Sequence, residues 1–397
     1  MGDRVILHCD MNGFFASVEL LDHPELKDVP MAVAGDPESR HGIILAKNEI
    51  AKACGVVTAE TIWHARKKCP DLVTVPPHHE KYGHYSKLIN QIYLEYTDQV
   101  EPFSVDESWL DVTASQKLFG GGQEIADEIR RRIREKFNLT LSVGVSYNKI
   151  FAKMGSDYKK PDATTVIDRG NYKDFLWPLD VGELFFVGAA TASKLRECGI
   201  KTIGELACAD RSMVASLLGK HGGEIHDYAN GLDDTPVITF EQRAKAKSVG
   251  HSLTFSRNLI FEDEIKKAVM NMSAEVASRL RKNHMKAFGV KVDIKNVSLK
   301  VISRQMKLEN PTNLTDVISE TSMAIIRSSW KIGEPIRMLS ITGINLCDEN
   351  QAEQLSLFVS ENVRMETGEK VERTMDDIKE KFGPGAIRFG GTMDLDF

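Results

Sequence analysis

Over its first 166 residues the chain alternates short apolar runs with stretches of helical periodicity. Residues 5–9 read as a strand, and 12–21 place Phe14, Phe15, Val18 and Leu21 at helical spacing. Residues 31–34 and 43–46 are short apolar strands around a polar turn. Residues 82–96 carry Tyr85, Leu88, Ile89, Ile92 and Tyr96 along one side, the pattern of an amphipathic helix. Val105 and residues 109–112 belong to a hairpin, 125–137 to a second helix, 141–145 to a strand and 148–158 to another helix. Strand, helix, hairpin, helix, strand is the order of a split βαβ unit of ferredoxin type. An insertion at 24–77 separates its first strand from its first long helix.

Residues 172–231 predict short helices punctuated by glycines. Within them Phe186-Val187-Gly188-Ala189-Ala190-Thr191 leads a small-residue turn into a helix, as in a helix-hairpin-helix. The turn amides at Gly188 and Ala190 could face a DNA phosphate, although such turns also serve simply to pack two helices. Residues 233–247 are polar and basic without a clear period and read as a linker. A second α/β pattern follows: helix 264–281, strands 290–294 and 297–302, helix 314–330 and strand 336–346. The last fifty residues are acidic, with one helical stretch at 372–382.

The 397 residues exceed what one core ordinarily holds, so two to four domains are expected. Hydrophobic and charged shares of 42% and 27% describe a globular chain rather than a disordered one. No apolar run approaches a membrane span of about 20 residues, and the N-terminus does not resemble a signal peptide. Six scattered cysteines without a CxxC pair favour reduced thiols and a cytoplasmic protein over a disulfide framework or zinc site. The net charge of -6 argues superficially against nucleic acid, but residues 241–310 carry 15 lysines and arginines against 7 acids. A basic segment in an acidic chain fits a local phosphate-binding surface.

The chemistry is concentrated in two segments. Ser104-Val105-Asp106-Glu107-Ser108-Trp109-Leu110-Asp111 sets two adjacent acids into a strand-like run. Adjacent carboxylates repel, so a fold that keeps them together needs cations nearby. The apolar strand ending in Cys9-Asp10-Met11 supplies a third acid just before a helix. Acids converging from the ends of neighbouring strands suit a two-metal phosphoryl-transfer site. Successive strand residues point to opposite faces, so Asp106 is expected as the direct ligand, with Glu107 brought inward by the turn and Asp111 structural.

Cys9-Asp10-Met11-Asn12-Gly13-Phe14-Phe15 and Ser104-Val105-Asp106-Glu107 resemble two signature motifs of Y-family translesion DNA polymerases. Gly144-Val145-Ser146-Tyr147-Asn148-Lys149-Ile150-Phe151-Ala152-Lys153, with Lys159-Lys160-Pro161 beyond it, resembles a third, and the likeness extends over residues 1–346. It implies a multidomain α/β (α+β) architecture. The ferredoxin-like palm would span 1–23 and 78–166, the small fingers 24–77 and the helical thumb 167–235. A linker at 236–247, an α/β little finger at 248–347 and a tail at 348–397 would follow.

The resemblance further implies that Asp10, Asp106, Glu107 and the Met11 backbone carbonyl hold two Mg²⁺ ions, for which Mn²⁺ could substitute. Phe15 would be the steric gate against a ribose 2′-hydroxyl, and Phe14, Lys52 and Lys160 would contact the nucleotide. Gly188, Ala190, Ser248, Gly250 and His251 would approach the DNA backbone. The family commonly places a Tyr and, three residues later, an Arg on the triphosphate; here those places hold Glu49 and Lys52. Lys52 lacks the bidentate fork and Glu49 would repel phosphate, with Lys47 a candidate to compensate. In the tail, Gln354-Leu355-Ser356-Leu357-Phe358 resembles the bacterial sliding-clamp-binding peptide. There Gln354 would fix orientation while Leu355, Leu357 and Phe358 supply the apolar anchor.

The implied protein is a bacterial, monomeric, template-directed polymerase acting on primer-template DNA with dNTPs, associated with the nucleoid when active. No segment remains for a proofreading exonuclease, and Gly13 with Ala46 leave a roomy nascent-pair pocket, so low fidelity is expected. Two other readings stay open. A nucleotidyl cyclase shares the palm acids but needs neither the helix-hairpin-helix nor the basic module. A clamp- and DNA-binding accessory with impaired catalysis would tolerate Glu49.

Overall fold

In the computed structural model, the run Ile6–Met11 forms strand β1, buried along its whole length. The structure describes residues 3–36, 42–239, 242, 246–350, 359–383, 385–387 and 389–390, with backbone alone for 359–366. They fall into two units dividing at about residue 243.

After β1 come α1 (Phe14–Glu19), β2 (Met31–Ala34), β3 (Ile44–Lys47), α2 (Glu49–Ala53), α3 (Ile62–Lys68) and β4 (Val73–Val75). There follow α4 (His79–Leu94), β5 (Val100–Pro102), β6 (Glu107–Asp111), α5 (Gln116–Phe119), α6 (Gly122–Phe137), β7 (Leu141–Ser146), α7 (Lys149–Tyr158) and β8 (Thr164–Ile167). The main sheet has the order β5-β6-β1-β7-β8, with β1 antiparallel to both β6 and β7. The pleat divides β1 cleanly. Leu7, Cys9 and Met11 join the core formed with α4 and α6, where Tyr82, Ile89, Tyr93, Ile125 and Ile129 are buried. Ile6, His8 and Asp10 face the other way, toward α7. The insertion builds its own sheet, β3-β2-β4, around a small core of Ala32, Ile44, Ile62 and Ala65.

Helix α7 sits unusually close to the sheet. A Cβ on Gly144 of β7 would land on the Ala152 carbonyl, so only glycine permits this seat. Asn148 caps the helix by accepting the Phe151 N–H at 2.7 Å, and its amide donates to the Gly231 carbonyl at 3.1 Å.

The rest of the first unit is helical: α8 (Tyr172–Leu176), α9 (Ala189–Glu197), α10 (Ile203–Cys208), α11 (Arg211–Leu218) and α12 (Lys220–Ala229). They enclose a core of Leu184, Leu195, Ile203, Leu206 and Ile225. The segment read as the start of a linker is packed instead. Arg4 donates to the carbonyls of Asp233 and Thr235 at 3.0 Å each. Val237 is buried with Ile6, Trp109 and Ala152, and the Ile238 N–H reaches Glu101 at 3.0 Å. Val237 and Ile238 in a short, mostly polar run carry too little periodicity to announce this docking.

The second unit contains β9 (Ser248–Leu259), α13 (Glu262–Lys282), β10 (Met285–Asn296), β11 (Val301–Thr312), α14 (Thr315–Ser329), β12 (Ile336–Asp348) and α15 (Val359–Phe382). Its antiparallel sheet has the order β11-β10-β12-β9, and α13 and α14 cover one face through Val269, Leu280, Ile318 and Ile326. The apolar pair Val297 and Leu299, expected within a strand, lies exposed in the turn between β10 and β11. Asn296 closes that turn by accepting the Lys300 N–H at 2.9 Å.

The terminal helix begins at Val359 rather than 372. Glu372 accepts from Arg281 at 2.5 Å and from the Thr315 N–H at 2.9 Å, capping α14 from outside. Asp376 takes the other side of the same guanidinium at 2.6 Å. Among the described residues, no helix is long and apolar enough to cross a membrane.

Candidate active site

The pleat of β1 and β6 decides which acids meet. Asp10 lies opposite Glu107 across the antiparallel pair, and Trp109 shares with Ile6 the face toward α7. Glu107, two residues before Trp109, therefore lies on the same face as Asp10. Asp106 precedes the strand, in a bend where its carbonyl accepts the Met11 N–H at 3.1 Å and its carboxylate the Ser104 hydroxyl at 2.6 Å. This reverses the expected order. Glu107 faces inward by strand parity, and it is Asp106 that depends on the turn.

Two lysines hold the acids together. The Lys153 ammonium lies 2.8 Å from Asp10, 2.6 Å from Glu107 and 3.1 Å from Asp157. Lys160 is 2.7 Å from both Asp10 and Asp157. Burial alone would raise Asp10, but its hydrogen bond with Glu107 and the ammoniums of Lys153 and Lys160 hold it below the usual carboxylate range. Burial and the adjacent Asp10 push Glu107 up, outweighing Lys153. Burial likewise raises Asp106, with Asp10 adding to it and Ser104 opposing. Both lysines are held above the ordinary value by these carboxylates, against their own burial.

These groups line a pocket of about 430 Å³. Asp10, Asp106, Glu107, Lys153 and Lys160 form one wall, while Leu45, Ala46, Lys47, Glu49, Lys52 and Thr58 of the insertion form the other. Gly13, in the left-handed region at φ 51°, brings the chain against the Lys47 carbonyl where the walls meet. Phe15 lies on the floor, its ring stacked on Tyr82 at 4.0 Å between centroids. Tyr82 donates in turn to the buried Glu19, fixing the ring from behind. The Phe14 side chain is 2% exposed and belongs to the core, so only its main chain can serve a nucleotide.

At the insertion wall, Lys52 pairs with Glu49 at 3.3 Å, an exposed contact that sets a negative charge beside the ammonium. Lys47 reaches the Thr58 hydroxyl at 3.2 Å, and burial, helped by Lys52, lowers its pKa. Lys153 closes the third motif but is given no role there, and Thr58 is not marked in the sequence. Lys153 had a signal, since it lies four residues before Asp157 and one helical turn beyond Lys149; Thr58 had none.

The DNA-contact expectations map onto both units. Gly188 and Ala190 are exposed at the start of α9, with Gly188 at its N-cap. On β9, Ser248 and Gly250 are exposed on an edge strand. His251 alternates to the other side, where burial and Arg279 of α13 lower its pKa. Residues 354–358 lie outside the described residues.

Among the described residues, no three His, Cys, Asp or Glu side chains are gathered to hold one ion as they stand. Lys153 occupies the place between two of the carboxylates instead. The donor chemistry still fits a hard divalent cation: carboxylate oxygens converge on one pocket and already need cationic charge there.

Residues 9–157 match the impB/mucB/samB family and residues 246–357 its C-terminal domain. The chain is 43% identical over 387 residues to the DNA polymerase IV of Acetivibrio thermocellus, covering 98% of this chain and 97% of that one. It is 37% identical over 392 residues to DNA polymerase IV 1 of Bacillus subtilis, covering 98% and 93%. Among solved structures, a Y-family DNA polymerase chimera of Dbh and Dpo4 superposes with a TM-score of 0.78 at 25% identity, over 87% of this chain and 99% of that one. The chain belongs to the impB/mucB/samB family, the Y-family DNA polymerases.

Lys153→Met leaves Asp10 and Glu107 without their shared cation and is expected to cost about 3 kcal/mol of metal-free stability. Thermal unfolding with and without MgCl₂ checks this, because the divalent ion should restore more stability to the variant than to the parent.

Proposed function

We infer that this chain is a template-directed translesion DNA polymerase that joins a dNTP to a primer 3′-hydroxyl. The observation that carries this reading is the convergence of Asp10, Asp106 and Glu107 in one pocket whose opposite wall is the insertion. Asp10, Asp106, Glu107 and the Met11 carbonyl would hold the divalent ions, and hard oxygen donors favour Mg²⁺, with Mn²⁺ as a substitute. Such ions, when bound, acidify the attacking hydroxyl and neutralise charge on the departing pyrophosphate.

The protein's own groups orient and select. Asp10 and Glu107 fix the reacting end, and Lys160, at 2.7 Å from Asp10, stands where a triphosphate would meet the acids. Lys47 and Lys52 offer further positive charge, tempered by Glu49. The Phe15 ring, backed by Tyr82, presents a flat apolar surface that a ribose 2′-hydroxyl would have to displace. Gly13 and Ala46 leave room for distorted pairs, so shape discriminates weakly between right and wrong nucleotides. The roles of residues 24–77 as fingers, of the helix-hairpin-helix as thumb and of the second unit as little finger follow from the same reading. A monomer at the bacterial nucleoid is the corresponding setting.

Primer extension with Mg²⁺ and four dNTPs tests the activity. It also separates this reading from a cyclase, which would convert a nucleoside triphosphate without primer or template. Asp106→Ala should reduce extension by about 10²- to 10³-fold with DNA affinity nearly unchanged; undiminished extension would remove Asp106 from the ion site. Phe15→Ala should relax exclusion of ribonucleotides by about 10- to 200-fold, read as the ratio of kcat/KM for dNTP and rNTP. Gln354–Phe358 is proposed as the peptide that docks on a bacterial sliding clamp. Its deletion should abolish stimulation by the clamp while distributive synthesis continues.

A further inference from the structure

The outward face of α3 has no role in the chemistry above. Ile62, Ala65 and Cys69 turn inward and are buried, which leaves Trp63, His64, Arg66 and Lys67 exposed. Trp63 is 61% exposed, although tryptophan is among the side chains that gain most from burial. The Lys67 ammonium lies 3.6 Å from the centre of its ring, and Arg66 reaches back to Thr74 of β4 at 3.5 Å. The helix contains no acid, and of its three cations only Lys68 has a carboxylate partner among the described residues.

We propose that this face, formed by Trp63, Arg66 and Lys67, is a stacking and phosphate-binding platform for the unpaired template strand ahead of the active site. Aromatic side chains set among cations bind single-stranded nucleic acid without sequence preference, since every base has a π-face and every linkage a charge. The position follows from the pocket. The primer hydroxyl belongs at Asp106 and Glu107, so template not yet copied leaves the nascent pair on the side of the insertion wall. β3 supplies Leu45, Ala46 and Lys47 to that wall, and the chain leading into α3 pairs with it: the Ile44 N–H donates to the Glu60 carbonyl, the Ala59 N–H to the Ile44 carbonyl, and Ile43 bridges Thr61, the cap of α3. His64 meets the same indole edge-on at 4.9 Å between centroids, and a base stacking on the exposed part of the ring would leave Lys67 and Arg66 to meet the flanking phosphates. The platform deepens the polymerase reading and rests on it.

The test compares the full chain with its Trp63→Ala, Trp63→Phe and Lys67→Ala variants on two primer-templates sharing one duplex. One has a single unpaired template nucleotide and the other about ten, within the span of a single-strand site. Wild type should bind the long overhang more tightly. Trp63→Ala should weaken that binding about fivefold, the low end for one stacked base, and leave the short substrate unchanged. Trp63→Phe should retain most of the affinity, and Lys67→Ala should reduce the salt dependence on the long overhang alone. Iodouracil placed in the overhang should crosslink to Trp63. Equal affinity for both overhangs, an equal loss on both, or unchanged DNA binding with loss of a protein partner would each overturn the platform. Single-nucleotide extension on the short substrate keeps the two readings apart: its absence in wild type refutes the polymerase, whereas its presence without any overhang effect refutes only the platform.

Discussion

The close seat of α7 on the main sheet governs the reacting end of this protein. Because Gly144 has no Cβ, the Ala152 carbonyl can lie against β7, and that approach delivers Lys153 into the gap between Asp10 and Glu107. A methyl group at residue 144 would push the helix outward, at a cost of about 1–3 kcal/mol for overpacking. The larger effect would fall on charge. Carboxylates arranged for cations repel one another, and Lys153 and Lys160 supply the counter-charge that lets them stay gathered. His8 takes part in the same seat, lying 2.8 Å from Ser156, whose hydroxyl donates to the Lys153 carbonyl.

The two ends of the pocket are built on different physics. The acid end is set by strand parity and helix packing, both stiff, with side chains largely out of water. The insertion end includes exposed side chains, among them a Lys52–Glu49 pair whose Coulomb attraction water screens. On the proposed reading, a triphosphate arriving there would compete with Glu49 for Lys52. At the acid end Lys160 is likewise already engaged, by Asp10 and Asp157. The positive charge around the pocket is therefore internally committed, and under the proposed function binding would exchange one set of ion pairs for another.

Much of this was legible in the residues. The apolar run of β1, the amphipathic period of α4 and α6 and the acids ending β1 and beginning β6 follow local rules that a single chain displays. The order of Asp106 and Glu107 did not, because it depends on where the strand starts, a one-residue matter that composition cannot resolve. The packing of Val237, the exposure of Val297 and Leu299 and the length of α15 were also hidden. Two of these involve partners remote in sequence, Glu101 for residue 238 and Arg281 for Glu372, whereas the turn is closed locally between Asn296 and Lys300. Long-range pairing of polar groups leaves no period in the chain.

That last pairing bears on the order in which the protein is made. Arg281 is 5% exposed, and its partners Glu372 and Asp376 lie 91 and 95 residues further on. While the chain emerges from a ribosome, α13 is complete long before the carboxylates that neutralise this guanidinium and cap α14, although the sheet beneath it closes only with β12. The first unit needs nothing beyond Ile238 for the contacts described, so it can fold during synthesis, whereas the second must wait with a charge unanswered. A stall or a cut between 350 and 372 would thus leave one finished unit joined to one that is poorly closed.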